Sequence, residues 1–167
     1  MQIIDADGHI VEGGHSDEMA KYMPKGNQRS ALFPVLDHLH FTYLRPGRGG
    51  GAGNGFPSPD AGEWVEFLDG TGIDWTVVYP TSGLAVGRIA SVDWAVAACQ
   101  AYNSWLYEKY TNVTPRIKGM ALIPIQDPQA ACEELHRAVE QLGMPGAMLP
   151  STGERSEERR VGKECRL

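Results

Sequence analysis

Apolar and polar positions along the chain fall into two rhythms. Residues 75–79 (Trp-Thr-Val-Val-Tyr) form a β-branched and aromatic run bounded by turn residues, which predicts a buried strand. Residues 117–125 form a second apolar run, residues 146–150 a third, and residues 2–7 a short strand with an acidic exit. Between them lie segments of three-and-four spacing. Residues 63–69 predict a short helix ended by Gly70 or Gly72. Residues 92–110 contain no Gly or Pro. They place Ala95, Ala98, Cys99, Tyr102, Trp105 and Leu106 on one face of a long helix. Asp127-Pro128 marks a helix start, because Asp accepts from free amides and Pro suits the first helical position. Ala131, Leu135, Ala138, Val139 and Leu142 then make an apolar stripe, and Gly143 closes the helix.

Residues 11–60 break this rhythm. They hold Pro24, Pro34, Pro46 and a glycine-rich run from Gly47 to Gly55, and read as one long surface loop or lid. The predicted order is strand, long loop, helix, strand, helix, strand, helix, strand. Near-continuously apolar strands alternating with helices imply an α/β fold with a parallel sheet. Two architectures fit the pattern: a doubly wound open sheet and a barrel.

Composition narrows the function classes. The 167 residues are 42% hydrophobic and 22% charged, ordinary for a soluble globular protein. A net charge of −6 argues against sequence-independent nucleic-acid binding. No apolar run approaches the ~20 residues of a membrane span. The opening lacks the pattern of a signal peptide, and three scattered cysteines make neither a disulfide framework nor a zinc knuckle. The expected compartment is the cytoplasm, and the expected partner a small-molecule substrate.

Candidate chemistry begins at Asp7-Gly8-His9. Two ligands at i and i+2 on an extended segment point to one side. A carboxylate and an imidazole there can share a divalent cation, or simply cap a turn. Tyr79, Thr81 and Gln126 fall at predicted strand C-terminal ends, where barrel enzymes keep substrate contacts, and turn or core roles fit them equally. His15, His38 and His40 read as solvated loop histidines. His136, beside Glu133, Glu134 and Arg137, falls on the polar side of its helix. Cys99 and Cys132 read as small core residues, and Trp94 and Trp105 as packing. The glycine run lacks a following Gly-Lys-Ser/Thr, and no Gly-x-Gly-x-x-Gly turn follows the first strand. Both absences weigh against nucleotide binding.

The stretch Ile4-Asp5-Ala6-Asp7-Gly8-His9-Ile10-Val11-Glu12 resembles the opening of the amidohydrolase-related family, in its aminocarboxymuconate-semialdehyde and resorcylate decarboxylase branch. The resemblance continues through Leu68-Asp69-Gly70-Thr71-Gly72-Ile73-Asp74, Tyr79-Pro80-Thr81 and Ala101-Tyr102-Asn103-Ser104-Trp105-Leu106. It runs on through residues 119–128 and 146–150. It implies a (β/α)8 TIM barrel about twice this length. Residues 1–154 would then be its N-terminal half: strands one to four with three helices. The resemblance also implies a zinc or manganese ion held partly by Asp7 and His9, with further ligands and the acid/base on later strands. The implied reaction is non-oxidative decarboxylation of a small carboxylic or aromatic acid, or hydrolysis by metal-activated water. A homodimer is implied for the intact protein. A non-catalytic α/β interaction module ending near 154 is the expectation of another class.

Residues 155–165 resemble an in-frame translation of a common sequencing adapter. Residues 155–167 are therefore read as a non-native tail, and the chain as truncated. Without that tail the charge becomes −8, because it holds five basic and three acidic residues.

Overall fold

The structure is a computed structural model and describes residues 1–12, 15–24 and 59–150. The described elements are β1 (Ile4–Ile10), α1 (Ser16–Met19), α2 (Ala61–Thr71), β2 (Trp75–Pro80), α3 (Val92–Leu106), β3 (Ile117–Gly119), β4 (Ala121–Leu122), α4 (Pro128–His136) and β5 (Ala147–Met148). A 3-10 turn, Ala20–Tyr22, continues α1, and a longer 3-10 segment, Ser82–Arg88, follows β2. Helices α3 and α4 each run into a π turn, Tyr107–Thr111 and Arg137–Gln141.

Local chemistry accounts for the helix ends. Asp60 accepts from the Glu63 amide at 2.9 Å while Glu63 accepts from the Asp60 amide at 2.9 Å, a reciprocal cap that starts α2. Gly72, at φ 72°, ends it in the left-handed conformation that glycine adopts without a Cβ clash. Ser91 caps α3. Asp127 caps α4 with Pro128 in the first turn, as the sequence predicts.

All strand pairings are parallel. The apolar run predicted as one strand over 117–125 is shorter and shared between two neighbours. Residues 117–119 pair with β2, and residues 121–122 pair with β5. The exchange falls at Met120, whose amide donates to Val78 O, while the next amide, of Ala121, donates to Gly146 O, each at 3.0 Å. Strand order therefore follows chain order, from β1 through β2 and the shared segment to β5. A doubly wound sheet instead reverses its order at a switch point, and no reversal occurs among the described strands.

One face of this sheet is packed. Ile10, Val78 and Ile117 join Ala95, Ala98, Cys99, Tyr102, Trp105 and Leu106 of α3 in the core. Gly119 permits the close approach: a Cβ there would lie 2.5 Å from Leu106 Cδ2. Part of the predicted long loop belongs to this core as well. Met19 and Met23 are buried, and the Trp105 indole donates to Glu18 at 3.3 Å. The glycine run, His38 and His40 lie outside the described residues, as does the segment 155–167.

Helix α4 departs from its predicted stripe. Leu135 and Val139 are exposed, Cys132 is exposed, and Glu134 is buried. The reason is what α4 meets. Glu134 accepts from Asn103 at 2.6 Å and from Arg137, so the helix docks on α3 through a polar tie. The Leu135–Val139 side meets no comparable packing among the described residues. His136 is on the surface, as expected. No helix among the described residues is long and apolar enough to cross a membrane.

Asn103 is the centre of that tie. Its amide donates to Leu122 O at 2.9 Å, and its carbonyl accepts from the Leu122 amide at 2.8 Å. Asn103→Ala would strand two buried backbone groups. A loss of about 2–3 kcal/mol is expected, read as a lower urea midpoint at unchanged slope.

Candidate active site

The face of β1 and β2 opposite the core carries the candidate chemistry. Gly8 and Ile10 are buried toward α3, so the alternating positions, Asp7 and His9, turn the other way. A register shift between Asp5 and Gly8 inserts one extra residue into β1 against β2. Such bulges re-aim side chains. Asp5 braces this one, accepting the Thr76 hydroxyl at 2.6 Å and the Asp7 amide at 3.1 Å. Gly8 is sterically required, because a Cβ there would meet Thr76 Oγ1 at 2.6 Å and the Val77 carbonyl at 3.0 Å.

The structure brings Asp7 and His9 together. Asp7 Oδ1 lies 3.9 Å from His9 Nε2, with the side chains 94% and 41% exposed. An ion bonded at about 2.0–2.2 Å to each spans up to ~4 Å, so the two donors fit one cation. Among the described residues no group of three or more His, Cys, Asp or Glu is gathered to hold a metal. The pair offers two candidate donors.

Tyr79 and Thr81 join them. The Tyr79 ring lies 6.2 Å from the His9 ring, and Thr81 Oγ1 is 3.3 Å from His9 Nδ1. Gln126 is engaged elsewhere. Its amide donates to Val86 O at 2.7 Å and Ile89 O at 3.0 Å, and its Oε1 is buried. It braces the end of the 3-10 segment after β2. His15, expected in solvent, is half-buried: its ring stacks 5.1 Å from Trp105 and faces Glu18. Cys99 is buried, and desolvation, then the Glu134 charge, pushes its thiol far up; it is inert packing.

Sequence reasoning missed Glu12. It is fully buried. Its carboxylate accepts the amides of Thr81 at 3.1 Å, Ser82 at 2.8 Å and Gly83 at 3.1 Å. A Cβ on Gly83 would lie 2.6 Å from Leu122 Cδ1 and 3.2 Å from Glu12 Oε1, so glycine lets the clamp close. The available signal was an acidic residue placed directly after the apolar pair Ile10-Val11. Burial outweighs the amides and pushes the carboxyl up to about 7. Tyr102, held well above its ordinary value chiefly by its own burial, also feels the Glu12 charge.

A parallel α/β sheet in chain order, with polar groups collected at strand ends, is the architecture of barrel-type enzymes. The chain belongs to the amidohydrolase family, whose model matches residues 4–167. Over 85 residues, 51% of this chain, it is 34% identical to the gamma-resorcylate decarboxylase of Polaromonas sp., of which the match covers 26%. The solved 2,6-dihydroxybenzoate decarboxylase in complex with 2,6-dihydroxybenzoate superposes with a TM-score of 0.60 at 24% identity. That match covers 94% of this chain and 42% of that one. A dihydroxybenzoic acid decarboxylase from Polaromonas sp., solved with manganese and 2-nitroresorcinol, gives a TM-score of 0.55 at 23% identity. Here 88% of this chain and 38% of that one are covered. These likenesses show the fold, which is that of amidohydrolase TIM-barrel proteins. The matched residues thus cover about a quarter of the curated relative and about two fifths of the solved structures, so the chain spans well under two thirds of either.

The Glu12 carboxyl makes stability depend on pH. Because it is raised in the fold from 4.5 to about 7, its contribution is full below pH 4.5 and is lost as pH rises through 7. Unfolding free energy is expected to fall by roughly 3 kcal/mol between those limits. Glu12→Gln should flatten that slope in urea titrations repeated from pH 5 to 8. An equally steep slope in the variant would refute the assignment.

Proposed function

We propose that this chain forms the first four strands and three helices of a (β/α)8 barrel whose whole is a metal-dependent carboxy-lyase. On this reading Asp7 and His9 are two of the ligands to a manganese or zinc ion, and the substrate is a small aromatic acid of the hydroxybenzoate kind. The observation that carries the reading is the Asp7–His9 pair, turned by a bulge onto the face of β1 away from the core. Support comes from the relatives, which are named for decarboxylating resorcylate and dihydroxybenzoate, one of them solved with manganese. Consecutive parallel strand order supports the half-barrel, as does the unpacked Leu135–Val139 side of α4, where a next barrel helix would lie.

When bound, the ion would supply positive charge that holds the acid's carboxylate and neighbouring phenolate oxygens. Asp7 contributes an anionic donor and His9 a neutral one, so the pair leaves net positive charge for the substrate. Tyr79, beside His9, offers a ring edge and a hydroxyl to an aromatic acid. In the reaction the bond between ring carbon and carboxyl breaks, carbon dioxide leaves, and the ring carbon takes a proton. The proton donor would come from later strands of the barrel.

The test is made in the complete barrel polypeptide that carries this chain. Asp7→Asn and His9→Ala are each expected to lower metal affinity by at least about 100-fold, more than loss of an outer partner costs. Metal content by mass spectrometry and carbon dioxide release from 2,6-dihydroxybenzoate are the readouts. Unchanged metal stoichiometry in both variants removes the assignment.

A further inference from the structure

We propose that Glu12 is a positioning residue: by clamping the backbone after β2 it sets Thr81 against His9 and so fixes which ring nitrogen of His9 is free to bind a cation. The inference rests on the reading of His9 as a ligand through Nε2, and goes beyond it by assigning the groups that orient the ring.

The geometry forms a chain of contacts. Glu12 lies beyond the end of β1, three residues after His9, and is fully buried. Its two oxygens accept three successive amides, those of Thr81, Ser82 and Gly83. The Thr81 amide also lies 3.1 Å from Ile10 O, so the same residue is anchored to β1. Thr81 is thereby held where its hydroxyl oxygen meets His9 Nδ1 at 3.3 Å. At the far end of the 3-10 segment Gln126 holds Val86 O and Ile89 O, so the segment is fastened at both ends.

A buried carboxylate without a cation is costly, and replacing it with an apolar side chain would ordinarily stabilise a core. Here it satisfies the Ser82 and Gly83 amides, which would otherwise be stranded at a turn, and shares the Thr81 amide with Ile10 O. The consequence reaches His9. Thr81 Oγ1, 3.3 Å from Nδ1, is placed to accept from an Nδ1–H, and in that arrangement the lone pair lies on Nε2, the nitrogen that faces Asp7. Ligating histidines are generally oriented this way, through a hydrogen bond from the other ring nitrogen.

The experiment uses the full 167-residue chain, nitrogen-15 labelled and metal-free, with the His9 tautomer read from long-range imidazole correlations near pH 8. His9 is expected in the Nδ1–H form, against the solution preference for Nε2–H. Glu12→Gln and Thr81→Val are each expected to move it toward Nε2–H, while Thr81→Ser, which keeps the hydroxyl, retains the native form. Where Glu12→Gln fails to fold, Glu12→Asp replaces it, since a carboxylate shorter by one methylene cannot span the same three amides. The proposal is overturned if His9 is Nε2–H in the unaltered chain. It is equally overturned if a folded Glu12 or Thr81→Val variant keeps the native tautomer. Because the tautomer is read without metal, this inference can fail while metal binding stands. A zinc titration of the same samples reports separately on the ligand reading.

Discussion

Everything described here depends on the two-sidedness of a parallel strand packed by a helix. Side chains alternate, so a strand with one face sealed against α3 has only its other face for chemistry. Ile10, Val78 and Ile117 take the sealed face. Asp7, His9 and Tyr79 are left on the other, as a consequence of register and not of any attraction among them. The bulge at Asp5–Gly8 refines this by restarting the alternation one residue later, so that His9 emerges beside Thr81 and Asp7 beside His9. A single-residue slip of β1 would put the imidazole into the core and Ile10 into solvent.

Sealing one face obliges the fold to bury polar groups where helices and loops return to the sheet. Two devices meet that cost. At the β1 and β2 exits, Glu12 takes up the Ser82 and Gly83 amides, which have no sheet partner, and shares the Thr81 amide with Ile10 O. Between α3 and β4, Asn103 stands in for a strand, giving and receiving a backbone hydrogen bond at Leu122. Glu134 and Arg137 extend that tie to Ser104 and the Gln100 carbonyl. Both devices fall where the strand exchanges partners or ends, the places where ladder hydrogen bonds run out. The buried carboxylates thus mark gaps in the backbone ladder.

The elements that local chemistry determines were legible in the sequence. Strand β2, the caps at Asp127-Pro128 and the left-handed glycines at 72 and 143 depend on neighbours in the chain, and the structure has them. The i, i+2 relation of Asp7 and His9 was legible for the same reason. What was not legible depends on residues far apart. The exchange of partners at Met120 depends on where Gly146 arrives. Glu134 looked polar and outward until Asn103, 31 positions earlier, offered it an amide. Glu12 reads as an ordinary acid until residues some 70 positions later present their amides. His15 and α1 fell inside a loop-like stretch because their apolar partner, Trp105, lies on another helix. Long-range polar pairing carries no periodicity, so no window along the chain reveals it.

Two open features coincide on the proposed half-barrel, and they bear on each other. The Asp7–His9 pair offers two donors, whereas a catalytic ion ordinarily takes three or more from the protein. The Leu135–Val139 side of α4 leaves apolar surface in water. In a closed barrel the same later elements would meet both needs, supplying further ligands to the inner face and a helix to the flank of α4. Metal binding and burial of that flank would then be linked, since the free energy of coordination is available only once the remaining strands are in place. The ion would act as a clasp across the two halves as well as a reagent. Removing it from the complete protein should therefore loosen α4 along with the site, although the two lie on opposite sides of the sheet wall.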